Sequence, residues 1–259
     1  MAKIYCLTGM HRSGTSLMSS YLIACNIPMG DEMLSPGIGN IRGHFEDKEI
    51  LEFHKSLLNE NVINTYIPKK YIKFNQSDIL QAKNIISLRN ENYPTWGWKD
   101  PRSTLLLDLW SECGPEIKFI FMYRKPYEVV SSLCRRIKNF KSPLMLIMPW
   151  LGCHSWVHYN KKIINFCHKY PDRSLLISIN GFVNNPDAGS EVLQKWLSVS
   201  SDKNFSDLFH PEDMKITSSG NRQTMYELYQ KTVFRIYSKK MNSIHKTLDA
   251  LATIPSVDD

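Results

Sequence analysis

Short apolar runs alternate with longer amphipathic stretches along this chain. Ile4 to Leu7 is an apolar run ending at Thr8-Gly9, and Thr15 to Cys25 carries Leu17, Met18, Tyr21 and Leu22 on one side. The first pattern predicts a core strand and the second a helix. Pro28, Gly30, Pro36, Gly37, Gly39 and Gly43 then mark a long loop. Helices are predicted over Phe45–Leu58, with Ile50, Leu51, Leu57 and Leu58 at helical spacing, and over Asp78–Leu88 behind Ser77 as a cap. Gly97-Trp98-Lys99 is a short strand candidate stopped by Pro101, and Ile117–Tyr123 (IKFIFMY) is an apolar run suited to burial on both faces.

A helix over Pro126–Ile137 follows, with its proline in the first turn. The remaining pattern predicts a helix over Trp150–Tyr170, a strand over Ser174–Ile179, and helices over Ala188–Leu197 and Thr224–Ala250. No repeat, low-complexity tract or linker interrupts this alternation. The expectation is therefore one α/β domain over residues 1–254, three layers deep, with a central parallel sheet flanked by helices. A frayed tail is expected over Pro255–Asp259.

Composition narrows the function classes. At 42% hydrophobic and 11% aromatic residues the chain is an ordinary folded protein, and disorder as its main state is excluded. Lys and Arg number 32 against 25 Asp and Glu, and the formal charge of +7 favours anionic partners without choosing among them. Cysteines 6, 25, 113, 134, 153 and 167 form no Cys-x-x-Cys pair, so neither a zinc knuckle nor a redox motif is indicated. Cys6 and Cys25 sit in apolar surroundings and read as buried thiols, which suits a reducing compartment. The chain enters its first strand by Ile4, leaving no room for a signal peptide or N-terminal anchor. Leu144–Leu151 contains Pro149 and falls far short of the ~20 residues of a membrane span. A cytoplasmic location without a membrane span is expected.

The most informative segment is Gly9-Met10-His11-Arg12-Ser13-Gly14-Thr15-Ser16. It joins the first strand to the first helix, where backbone N–H groups and the helix N-terminus make an anion site. Its spacing approaches the phosphate-loop pattern G-x-x-x-x-G-K-[ST]. Thr15 stands where the lysine belongs, and the positive charge has moved to Arg12. A nucleoside-triphosphate loop also calls for a Mg²⁺-binding aspartate after a later apolar strand. After IKFIFMY the chain offers Arg124 and Lys125 instead. The pattern is built to hold an anion without a metal.

This loop resembles the 5′-phosphosulfate loop, [KR]-[SAG]-G-T-[ST], of the sulfotransferases that use 3′-phosphoadenylyl sulfate (PAPS). The resemblance continues in Arg124-Lys125-Pro126-Tyr127-Glu128-Val129-Val130-Ser131-Ser132. In that family a strand-end arginine and a serine eight residues on grip the 3′-phosphate of the adenosine. Lys99-Asp100-Pro101-Arg102 resembles a stretch of the carbohydrate-type enzymes, and Arg42-Gly43-His44-Phe45-Glu46 is similar to R-G-[HY]-[FW]-E of bacterial sulfotransferase-like proteins. There a glutamate at a helix start is taken as the base. Ile179 to Pro186 is similar to the family's Y-E-[DE]-L-x-x-[DN]-P stretch but departs at Ile179, Asn180 and Gly181, and no chemistry is assigned to it.

The resemblance covers Ile4 to Asn185. It implies a P-loop-type fold and sulfuryl transfer from PAPS, with no metal required, to a hydroxyl or amine of a small-molecule or carbohydrate acceptor. His11, Arg12, Ser13, Gly14, Thr15 and Ser16 would hold the phosphosulfate, and Arg124 and Ser132 the 3′-phosphate. Arg12, Lys99 and Glu46 would act in catalysis, with His44 as the alternate base. Arg222, in the loop before the last helix, stands in for a family segment that closes over the 3′-phosphate. Asp100 and Arg102 have a second reading as a structural ion pair at a strand end. The acceptor and the oligomeric state are not legible. Met29–Arg42, Asn61–Asn75 and Lys138–His158 should shape the acceptor pocket, where Tyr66, Tyr71, Trp150 and Trp156 either stack on the acceptor or fill core.

The alternatives are a P-loop kinase with an altered lysine, a nucleotide-binding protein without turnover, and a basic RNA-binding protein. His154 and His158 have i, i+4 spacing, but no glutamate follows His154 and no third ligand is near, so they read as an ordinary pair. Lys138-Asn139-Phe140-Lys141 and Tyr237-Ser238-Lys239-Lys240 read as solvated faces, and no nucleic-acid partner is expected.

Overall fold

Four strands form one parallel sheet in the order β2-β1-β3-β4: β1 (Lys3–Gly9), β2 (Thr95–Lys99), β3 (Lys118–Tyr123) and β4 (Ser174–Ser178). The computed structural model describes residues 2–34, 45–59, 72–139, 143–201, 203, 205–209 and 225–257. Each strand connects to the next through helix, as a parallel sheet requires. The helices are α1 (Thr15–Ala24), α2 (Lys48–Leu58), α3 (Gln76–Asn92), α4 (Leu107–Cys113), α5 (Pro126–Asn139), α6 (Met148–Lys169), α7 (Ile179–Asn184), α8 (Pro186–Leu197) and α9 (Met225–Leu251).

Alternate residues of each strand feed two cores. Ile4, Cys6, Phe119, Phe121 and Tyr123 pack with Trp98, Trp110, Trp156 and Met241 on one face. Tyr5, Leu7, Ile120 and Met122 pack with Met18, Tyr21, Phe182 and Leu193 on the other. This covering of both faces explains why β3 is apolar at successive positions. Register sets Leu7 opposite Lys99, Gly9 opposite Met122 and Tyr123 opposite Ser178. The carboxyl ends of β1, β2 and β3 therefore share one edge, where α/β sheets carry their ligands.

Several expectations shift. The helix predicted behind Ser77 starts earlier: Asn75 caps it, in a reciprocal pair with Asp78, and the helix runs on to Asn92. Helices α4 and α7 are seven and six residues long, too short for a periodicity to show. Of the tail expected over Pro255–Asp259, Ser256 N–H and Oγ–H both donate to Asp249 Oδ1, at 2.9 and 2.8 Å, and residues 258–259 lie outside the described residues. Ser178 N–H also donates to Ile254 O, so this segment runs beside β4.

Gly9 has φ +151°, and a Cβ there would lie 2.1 Å from the carbonyl oxygen of Met122. Gly14 has φ +88°, and its Cβ would lie 2.6 Å from the Ile179 side chain. Both lie where side chains other than glycine are strained, but a backbone carbonyl yields less than an isoleucine side chain. Gly9→Ala is expected to cost about 3 kcal/mol of stability and Gly14→Ala about 1 kcal/mol. Urea unfolding midpoints of the two variants test the order.

Candidate active site

The loop from Gly9 to α1 turns at Arg12, whose φ of 70° is uncommon for a side-chain-bearing residue. Ser13 N–H closes the turn on Met10 O at 3.2 Å. Gly14 caps α1 without a side-chain acceptor, and the first turn holds no acidic residue. The first amides of α1 thus carry the helix's partial positive charge with no carboxylate in that turn to answer it. Ser13 Oγ and His11 Nε2 are buried and have no hydrogen-bond partner among the described residues. Burial, and next Arg102, hold the His11 pKa down to about 3, so its imidazole is neutral near neutral pH.

The loop meets the second motif directly. Arg12 Nε–H donates to Ser132 Oγ on α5 at 2.9 Å. Arg124 follows β3, is buried, and donates from Nε to Glu128 Oε2 at 2.5 Å. Asn180 Nδ2–H donates to both Glu128 oxygens, at 3.1 and 3.3 Å, and Asn180 Oδ1 accepts from Lys125 N–H at 3.2 Å. Arg124 O in turn accepts from Trp156 Nε1–H at 3.3 Å, which holds α6 against the strand end.

A second cluster sits at the end of β2. Lys99 is 1% exposed, and its ammonium donates to Glu46 Oε1 at 2.8 Å. Glu46 Oε2 lies 3.6 Å from Arg102 Nη1, beyond a direct hydrogen bond. Burial lowers the Lys99 pKa, and the Glu46 carboxylate works against that shift. Asp100 accepts from Arg102 N–H and Nη1–H at Oδ1, at 2.8 and 3.0 Å. Burial alone would raise its pKa, but Arg102 and the His54 contact hold it well below the ordinary carboxylate range.

Glu46 is fixed from its own side as well. The next residue, Asp47, caps α2 by accepting from Ile50 N–H at 3.0 Å. Asp47 also pairs with Arg89 Nη1 at 3.0 Å, and the same buried guanidinium reaches Asp31 at 2.9 Å and Glu49 at 2.8 Å. One arginine of α3 therefore clamps the segment that delivers Glu46.

Arg12 and Ser132 are brought together, Arg124 is set four residues from its partner Glu128, and Lys99 is brought to Glu46. Thr15 is buried and Ser16 partly so at the start of α1. His44 and Arg222, with Tyr66 and Tyr71, lie outside the described residues. Trp156 is fully buried core, whereas Trp150 is 38% exposed and donates to Tyr229 OH at 2.9 Å. The ion pair of Asp100 with Arg102 forms as its structural reading expects. Sequence reasoning missed Asp47, His54, Arg89, Glu128 and Asn180. Only two carried a signal: Asp47 before a helix with Glu49 in its first turn, and Asn180 just past a strand end. Among the described residues no helix is long and apolar enough to cross a membrane, and no group of three His, Cys, Asp or Glu side chains is placed to hold a metal ion.

A family model described as "Sulfotransferase family" matches residues 6–204. Among solved structures, sulfotransferase STF9 from Mycobacterium avium is similar at a TM-score of 0.55 and 12% identity, over 93% of this chain and 76% of that one. The sulfotransferase domain of the Synechococcus PCC 7002 olefin synthase is similar at 0.52 and 15%, over 97% and 93% of the two chains. A sulfotransferase from Alicyclobacillus acidocaldarius is similar at 0.52 and 13%, over 97% and 95%. At these identities the likeness is one of fold, a helix-flanked parallel sheet. Comparison with curated proteins found no match.

The depressed His11 pKa has a consequence for acid stability. Above the ordinary histidine value of 6.5, His11 is neutral in folded and unfolded chain alike. As pH falls from there toward about 3, the unfolded chain takes up a proton that the folded protein refuses, so stability is lost across that window. His11→Gln should flatten the fall in melting temperature over this range. Melting curves of both proteins between neutral and mildly acidic pH check it.

Proposed function

The chain belongs to the sulfotransferase family, and from that premise we propose that it moves a sulfuryl group from PAPS to an acceptor hydroxyl, releasing adenosine 3′,5′-bisphosphate. The observation that carries this reading is the 2.9 Å bond from Arg12 to Ser132, which joins two anion-binding motifs 120 residues apart. A donor with a phosphosulfate at one end and a 3′-phosphate at the other needs two such motifs side by side. The donor set also fits: guanidinium groups, hydroxyls and uncapped helix amides bind phosphate oxygens without a metal.

In this reading the loop amides, Ser13 and Arg12 hold the phosphosulfate, while Arg124 and Ser132 hold the 3′-phosphate. A phosphate at Arg124 competes with Glu128 for the same guanidinium. Glu46 takes the acceptor proton at Oε2, the oxygen not engaged by Lys99. The acceptor oxygen bonds to sulfur, the bond from sulfur to the phosphate oxygen breaks, and its electron pair stays on the 5′-phosphate. Arg12 and the loop amides meet that charge, and Lys99 meets the charge on the departing sulfuryl oxygens. His44 is the alternate base by its motif position. The acceptor is a small molecule or carbohydrate, and a cytoplasmic setting is supported by six free, buried thiols.

Adenosine 3′,5′-bisphosphate should bind more tightly than 5′-AMP. Arg124→Ala should erase most of that preference, a charged contact worth about 2–5 kcal/mol. Calorimetry with both nucleotides tests this, and equal affinities in the parent protein would sink the assignment. A thermal shift with ATP·Mg²⁺ but none with the bisphosphate would favour the kinase instead, and turnover should survive EDTA.

The three catalytic roles should separate in kinetics. Arg12→Ala lowers bisphosphate affinity and rate together. Glu46→Gln keeps an oxygen for Lys99, so affinity should hold while single-turnover rate falls by about 10²–10⁴. Lys99→Ala should lie between, with rate affected more than binding. A fully active Glu46→Gln enzyme would remove that residue from the mechanism.

A further inference from the structure

We propose that His54 is a positioning residue for the transfer step, fixing Asp100 and through it the guanidinium of Arg102 that faces Glu46. The inference rests on the reading of Glu46 and Lys99 as acting residues. His54 lies on α2, eight residues after Glu46, which precedes the Asp47 cap of that helix, and its side chain is fully buried. Its Nδ1 is 2.8 Å from Asp100 Oδ2, and its Nε2 is 2.9 Å from Trp110 Nε1. An indole nitrogen only donates, so Nε2 is the acceptor and carries no proton. Nδ1 therefore bears the hydrogen and donates it to Asp100. The geometry selects one tautomer and one direction for the chain of bonds, from Trp110 through His54 to Asp100.

Asp100 has no freedom left after that bond. Its other oxygen holds Arg102 through the backbone N–H and Nη1–H, and its own carbonyl accepts from Thr8 Oγ1–H at 2.8 Å. Arg102, so held, presents Nη1 at 3.6 Å to the Glu46 oxygen opposite the one that Lys99 occupies. α2 and the residue before its cap thus touch the end of β2 twice, by His54 on Asp100 and by Glu46 on the adjacent Lys99. A helix pinned at one of these points could pivot; pinned at both, it sets where the carboxylate of Glu46 points. Orientation errors near 1 Å cost reaction rate rather than nucleotide binding, because none of these groups belongs to the phosphate-holding loop.

Three variants and one spectrum test this. His54→Phe fills a similar volume but cannot donate to Asp100. It should lower the single-turnover rate of sulfuryl transfer by about ten- to a hundredfold while bisphosphate affinity changes by less than about twofold. His54→Asn sets an amide N–H near the place of Nδ1 and should restore most of the rate. Trp110→Phe removes the tautomer lock and should slow transfer with affinity again unchanged; it carries the test if His54→Phe does not fold. The assay uses radiolabelled PAPS with a panel of phenols, sugars and aliphatic alcohols, and calorimetry uses adenosine 3′,5′-bisphosphate. Long-range ¹H–¹⁵N spectra of the parent should show Nδ1 of His54 protonated and Nε2 bare. The reverse tautomer, an imidazolium, or His54→Phe with the parent's rate overturns the proposal. So does a His54→Asn variant as slow as a folded His54→Phe. A parent that binds the bisphosphate but transfers to nothing in the panel overturns the reaction and this role together, whereas an active parent indifferent at His54 overturns the role alone.

Discussion

A lysine ammonium with 1% of its surface exposed must find a negative partner or give up its proton. Lys99 is in that position because β2 ends inside the protein, beside β1 and beneath α2. Glu46 supplies the charge at 2.8 Å, and in doing so ties the start of α2 to the end of β2. Breaking a buried pair from one side alone typically costs about 3–5 kcal/mol. The neighbouring groups follow from the same constraint. Arg102 and Asp100 continue the line of alternating charge, His54 closes it with a neutral donor, and Arg89 holds Asp47 so that Glu46 arrives in place.

The side proposed to hold the phosphates follows a different logic. Here Arg12, Arg124 and Lys125 gather at the strand ends, and the first turn of α1 carries no acidic residue of its own. Arg12 rests on a neutral hydroxyl, and Arg124 rests on Glu128, which Asn180 also holds. In the proposed reading these bonds order the side chains before the anion arrives, which lowers the entropic cost of binding. The two sides meet because the sheet order sets β1 between β2 and β3. The loop after β1 can then reach the Lys99 cluster on one flank and the Arg124 cluster on the other.

Much of this was legible in the sequence, for local reasons. The strand-loop-helix around Gly9 to Ser16 is contiguous, so its apolar run, its glycines and the helix that follows are readable before any folding is known. Arg124 and Ser132 lie on a strand end and the helix that follows it, and their spacing is fixed by that short connection. The unbroken apolar run of β3 declares a strand covered on both faces. Helix α3 was less legible, because Ser77 is itself a good capping residue and only the reciprocal bond with Asp78 sets the cap at Asn75.

What the sequence could not determine is which distant residues share a charge. His54 and Arg89 belong to no local pattern; a histidine or arginine on a helix face has no partner until another element is packed against it. Glu46 and Lys99 were both singled out, but from separate motifs 53 residues apart. Only the docking of α2 against the end of β2 turns them into a pair. Local order follows from steric and hydrogen-bonding preferences of neighbours in the chain, and the sequence carries those. Electrostatic pairing across elements depends on distance through space and on the loss of water around each charge, and the tertiary structure alone decides both.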